Sequence, residues 1–174
     1  MPEVRLLDSQ GGELPPGEEA AAAFTEYRIS IQPGIRFQPH PAFAQREDGS
    51  YHYWPLQQQD LEERFTLADF DAVDTRELVA DDYVYQIKRL AFAPNHSPVG
   101  GLMKKYIDGF AEFSKQASEQ HKSLGDDADW LDLRKIDMAG VQVVDPYTYT
   151  IRIKGAYPQF IYWLAMNFFA PMPW

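Results

Sequence analysis

Cysteine is absent from the 174 residues. That removes disulfides and every thiolate metal site, so any metal would have to rest on nitrogen or oxygen ligands. Long apolar runs are missing as well, since no stretch approaches the roughly 20 residues that a membrane-spanning helix needs. The opening MPEVRLLDSQ has no apolar core of the secretory-signal kind. Basic charge is scarce: 16 Lys+Arg stand against 26 Asp+Glu, a formal net charge of -10. Nucleic-acid affinity is dominated by cations on phosphate, so no nucleic-acid partner is expected. No period of internal repetition is visible. What is present is a globular composition, 45% hydrophobic and 14% aromatic, well above a disordered chain. A chain of this mass can bury about 70% of its unfolded surface, which points to one domain with a sizeable core.

The residues divide into three zones. Over an irregular lead-in, 1–23, Val4 to Asp8 reads as a short strand ended by Gly11-Gly12, and Glu18 to Ala23 as a helical turn. Tyr27, Ile29 and Ile31 then alternate with Glu26, Arg28 and Ser30, the period of a half-buried strand. Pro33-Gly34 predicts a turn into Ile35-Arg36-Phe37, Pro39-His40-Pro41 an extended loop, and Tyr51 to Trp54 a short edge strand. In the middle zone Val79 to Ala93 places Tyr83, Ile87 and Leu90 on one helix face, with Asp81, Asp82, Lys88 and Arg89 elsewhere. Acids in its first turn and bases in its last suit the helix dipole. A second helix is predicted from Ser97 as N-cap and Pro98 at the first position, with an apolar stripe of Leu102, Tyr106, Phe110, Phe113 and Ala117. Residues 118–137 read as helix end and acidic loop. Beyond them, Val141 to Val144, Asp145-Pro146 and the alternating run Tyr147 to Lys154 predict a hairpin. The segment 157–174 is an aromatic exit, with a short helix near Pro158. The sum is an α+β fold of antiparallel strands with two main helices.

Chemistry is sparse in this pattern. His40, His52, His96 and His121 lie in separate zones, without the spacing that puts two imidazoles on one helix face. Asp126 to Asp132 has the acidity of a calcium loop but lacks its central glycine and terminal glutamate. Adjacent acids such as Glu62-Glu63 and Asp81-Asp82 diverge on a helix and do not face one bond. Gly100-Gly101-Leu102-Met103-Lys104-Lys105 lacks phosphate-loop spacing, and no nucleophile–base pair is legible. The residues alone read as a non-catalytic module that needs no cofactor and no metal. A secreted hydrolase domain would require the four histidines and the acids to converge. A purely structural interaction module is the other alternative.

Several runs read together resemble family 5 extracellular solute-binding proteins, the oligopeptide- and dipeptide-binding components of ABC importers. Tyr27 to Phe37 is similar to that family's strand followed by pro-gly-aliphatic-x-phe. Thr75 to Leu90 is similar to its helix motif, which ends in Arg-Leu, and Asn95-His96-Ser97-Pro98-Val99 to the Ser-Pro element that follows. Gly140 to Thr148 resembles the gly-val-x-x-x-asp-x-x-thr hairpin, and Tyr157 to Pro173 the helix and ala-pro-x-pro exit. These runs occur in family order over residues 24–174. Between Pro39-His40-Pro41 and the helix motif lie about thirty residues, the mark of a long-insert subgroup.

The resemblance implies a periplasmic-binding-protein type II two-lobed fold, of which residues 1–174 would be one excised α+β subdomain at the periphery of the first lobe. It implies a periplasmic protein that captures a peptide or similar solute and delivers it to an ABC transporter permease. Val99, directly after Ser-Pro, is the one residue it places at the ligand cleft. Asp81, Asp82 and Arg89 match the helix motif in structural roles. Residues 157–174 are expected to show an apolar patch, or to pair with a second copy.

Overall fold

Alternation in two segments distant in sequence becomes one sheet. A computed structural model describes residues 1–125 and 130–174. They divide into two compact units, one formed by 1–32 with 79–174 and the other by 33–78. The first unit holds the strands β1 (Glu3–Leu7), β2 (Phe24–Ser30), β3 (Val141–Asp145) and β4 (Thr148–Lys154), in the order β1-β2-β4-β3. Every neighbouring pair is antiparallel, with Tyr27 opposite Ile151 and Val141 opposite the same isoleucine on the other side. The α+β class is therefore present as a four-stranded antiparallel sheet with four helices: α1 (Ala80–Ala91), α2 (Gly100–Tyr106), α3 (Phe110–Ser123) and α4 (Phe160–Leu164).

β2 follows its period: Tyr27 is buried, Ile29 and Ile31 pack against the core, and Ser30 is exposed. β4 departs from the alternation, because Thr148 and Thr150 are buried beside Tyr149, Ile151 and Ile153. Thr150 lies between Arg28 of β2 and Gln142 of β3, and Thr148 between Ser30 and Asp145, so cross-strand neighbours shield these polar positions. Loss of water pushes the Tyr149 hydroxyl well above its ordinary pKa, and that ring stacks on Tyr83 of α1 at 5.1 Å. α1 lies within the predicted range, ending at Ala91 rather than Ala93, and buries Ile87 and Leu90 with Val84. Two residues placed off its apolar face by the sequence, Asp82 and Lys88, are buried too.

The predicted second helix is two helices. The stripe survives on Phe110, Phe113 and Ala117, but the chain is extended at Ile107 (φ -70, ψ 126), which bridges Ile153 of β4. Gly109, at φ 72, restarts it as α3. Met103 and Ile107, outside the predicted stripe, are fully buried. Ser97 is not the N-cap. That place belongs to Val99, and the Ser97 hydroxyl is buried without a hydrogen-bond partner.

The second unit has no extended ladder. Its backbone closes through single bridges, Arg36 with Glu77, His40 with Asp74 and Gln45 with Tyr51. The expected edge strand at 51–54 is reduced to the bridge at Tyr51, and of the expected extended loop Pro39-His40-Pro41, His40 is extended (φ -149, ψ 144) while Pro41 begins a 3-10 turn, Pro41–Phe43. Gly34 at φ 83 makes the predicted Pro33-Gly34 turn, and its amide donates to Glu77 Oε1 at 2.6 Å. The Arg76 guanidinium lies over the rings of Phe37 and Phe43, at 5.1 and 5.6 Å.

Candidate functional site

The four histidines are divided between the two units. His40 and His52 belong to the 33–78 unit, where His40 Nδ1 accepts from the Ala42 amide at 3.1 Å and His52 meets the Tyr53 ring edge-on. In the other unit His96 takes a left-handed turn (φ 47), and His121 lies edge-on to Phe92. Among the described residues no group of three or more His, Cys, Asp or Glu is arranged to hold a metal ion. Asp126, Asp127 and Asp129 of the acidic run lie outside the described residues. Its last member, Asp132, is engaged locally: it accepts from Arg134 Nε and Nη2 at 2.8 and 2.9 Å and from the Arg134 amide. Those hydrogen bonds hold the Asp132 carboxyl below its usual range. Lys104 and Lys105 lie exposed on α2, and the two glycines before them are the helix's own first residues, so no phosphate cradle forms.

The resembling helix motif does structural work. Asp82 Oδ2 accepts from the Val79 amide at 3.0 Å, satisfying a donor at the start of α1. Arg89 lies 6.0 Å from the Tyr85 ring in the last turn. Val99 is 7% exposed and its side chain belongs to the core cluster. Its carbonyl accepts from the amides of Leu102 and Met103 at 3.0 and 2.9 Å, which starts α2.

A dense polar junction lies where α2 breaks into α3. Asp108 Oδ2 accepts from Arg152 Nε and Nη2 at 2.9 and 2.6 Å. The backbones join as well: Asp108 N to Arg152 O at 3.0 Å, Gly140 N to Asp108 O at 3.1 Å, and Arg152 N to Gly140 O at 2.7 Å. The approach is so close that a Cβ on Gly140 would stand 2.4 Å from the Asp108 carbonyl oxygen. Beside this weld lies an open pocket of about 430 Å³ lined by Asp108, Gly109, Glu112, Phe113, Gln116, Asp137, Ala139 and Gln142. With Asp108 paired to Arg152, the polar rim is formed by exposed Glu112 and Asp137 with the two glutamines, over a floor that includes buried Phe113. Nothing local in the sequence announced this site, because its ion pair joins residues 44 positions apart.

Residues 157–174 turn back over α1. Gln86 Nε2 donates to the Phe168 carbonyl at 2.8 Å, and the Arg134 guanidinium stacks 3.9 Å from the Trp174 ring. Phe160 and Phe169 are buried, while Tyr162 (73%), Met166 and Trp174 are exposed. No helix among the described residues is long and apolar enough to cross a membrane. In comparisons with known proteins, no family model matches the chain and no curated protein matches it.

Proposed function

We propose that the chain is the peripheral α+β subdomain of the first lobe of a family 5 extracellular solute-binding protein. In this reading the whole protein captures a peptide or similar small solute in the periplasm and delivers it to an ABC transporter permease. This part is a brace rather than a catalyst, and no cofactor enters. The observation that carries the reading is positional. Each resembling run falls on an element boundary, in order: β2 and the Gly34 turn, α1, the Ser97-Pro98-Val99 entry to α2, the β3–β4 hairpin, and α4 with its exit.

Two letters of the hairpin run also have physical reasons. Gly140 leaves no space for a side chain, and Asp145 Oδ1 accepts from the Tyr147 amide at 2.8 Å to shape the turn. Val99 would act there through the placement of α2, since its side chain faces the core. Self-association through 157–174 belongs to the same reading, with exposed Tyr162 at its centre.

Calorimetry with di- to pentapeptides tests it. This chain alone should bind none at micromolar concentration, because the opposing lobe supplies most backbone contacts to an extended ligand. The product of the complete reading frame should bind them. Micromolar binding by this chain alone, or a complete frame without a second lobe, would sink the reading. Light scattering should show a concentration-dependent mass that falls in Tyr162→Ser.

A further inference from the structure

The unit 33–78 carries four arginines, no lysine and nine Asp+Glu. All four arginines are engaged by the unit's own scaffold. Arg36 Nη2 donates to the Thr75 carbonyl at 2.7 Å, and Arg46 donates to the carbonyls of Tyr51 and His52. Arg76 stacks on Phe37 and Phe43. Arg64 lies 5.8 and 5.2 Å from the rings of Tyr53 and Phe70, which meet each other edge-on at 5.1 Å. Arg64 and Arg76 are half-buried against these rings, Arg36 and Arg46 are exposed with their guanidinium groups tied to backbone carbonyls, and the acids Glu62 and Glu63 are exposed.

Apolar side chains share that surface. The cluster of Tyr53, Arg64 and Phe70 draws three loops together, and the residue next to each inward ring or cation points out: Trp54 is 62% exposed and Phe65 91%. Leu67 follows at 55%. Phe65 is not on a loose tip. Asp69 Oδ2 accepts from the amides of Phe65 and Thr66 at 2.8 and 2.7 Å and from the Thr66 hydroxyl, bonds that also hold the Asp69 carboxyl below its usual range. An exposed aromatic on a turn fixed in advance binds at low entropic cost.

We infer that the loops around Trp54, Phe65 and Leu67 dock a cationic, apolar-faced polypeptide segment of a partner protein. Charge decides among occupants. A second copy would bring the same acidic excess against itself, and anionic lipid would be repelled, whereas lysines or arginines flanking apolar anchors meet both features at once. The inference stands whether or not the solute-binding reading holds.

The test is fluorescence anisotropy of a labelled synthetic peptide of Lys and Leu at helical spacing, titrated with the full chain. Saturable binding that weakens with salt is expected, and the counterpart with Glu for Lys should not bind. Phe65→Ser should weaken binding roughly tenfold, and Glu62→Gln with Glu63→Gln several-fold. The same neutralisation at Glu18 and Glu19, in the other unit, should change nothing. Leu67→Ser provides a second exposed probe, and circular dichroism confirms that each variant is folded. The inference is overturned by absent binding, or by equal losses from the Glu18/Glu19 pair, which would mean attraction to net charge alone. Binding unchanged in both Phe65→Ser and Leu67→Ser overturns it too, as does a dimer abolished by Phe65→Ser or preferential uptake on phosphatidylcholine vesicles.

Discussion

Lys88 holds an amine where water barely reaches: it is 7% exposed, its Nζ donates to the Arg134 carbonyl at 3.2 Å, and the Phe113 ring centre lies 6.0 Å away. Burial pushes its pKa down, and the more distant charges of Asp137, Asp81 and Asp132 only partly restore it. The folded amine thus releases its proton at lower pH than the unfolded one. Between those two values the unfolded state binds more protons, so stability rises with pH there and is lowest below the folded value. Tyr149 acts in the opposite sense. Its raised pKa gives a contribution present below the ordinary tyrosine range and lost as pH climbs through the folded value. We expect Lys88→Met to raise stability at neutral pH by on the order of 1 kcal/mol, as apolar replacements of buried charge often do. It should also flatten the rise expected as pH approaches the ordinary lysine range from below, read from thermal melts across pH. A variant less stable than the parent at neutral pH would show that the bond to Arg134 outweighs desolvation. Sequence spacing placed Lys88 among the polar residues of α1, because period alone does not show that the 134–138 segment covers that side.

Breaks in regular elements are harder to read than the elements. The stripe from Leu102 to Ala117 predicts one continuous helix, and Gly109 interrupts it. Its role is conformational: at φ 72 it bears no strain, and a Cβ there would stand 2.8 Å from the Ala139 amide nitrogen. Gly140 faces it in the same weld, closer still. We expect Gly140→Ala to cost about 3 kcal/mol, from forced separation of Asp108 and Arg152, and Gly109→Ala to be destabilising for both space and φ. Urea unfolding of the two variants measures this; a loss near that of an ordinary helix glycine would mean that the junction relaxes freely. The hairpin and β2, by contrast, were legible because alternation and a turn pair agreed with one another.

For the molecule as a whole, the sheet is built from two separated stretches. Ile31 N donates to the Tyr147 carbonyl and Ala80 N to the Pro146 carbonyl, at 2.7 and 2.8 Å. The two ends of the 33–78 excursion are therefore anchored on adjacent residues of one turn. Replacing 33–78 with a short Gly/Ser linker should leave the sheet and helices folded, with a cooperative melt and the near-ultraviolet signal of the Tyr83–Tyr149 stack. Loss of cooperativity would make the excursion a folding partner instead. The boundaries of that unit were not legible, since bridges such as His40 to Asp74 and the Phe37–Arg76 stack join distant residues without any period.

The strand order also leaves two outer strands, and both are blunted. β1 has part of its free side occupied by its own chain, where Leu14 N donates to the Leu6 carbonyl at 2.8 Å, and it carries the Glu3–Arg5 ion pair. β3 loses register between Val143 and Asp145 and ends on a carboxylate. Strand-by-strand accretion into fibrils, the usual hazard of a sheet left open at its margins, is discouraged by the way each margin is finished.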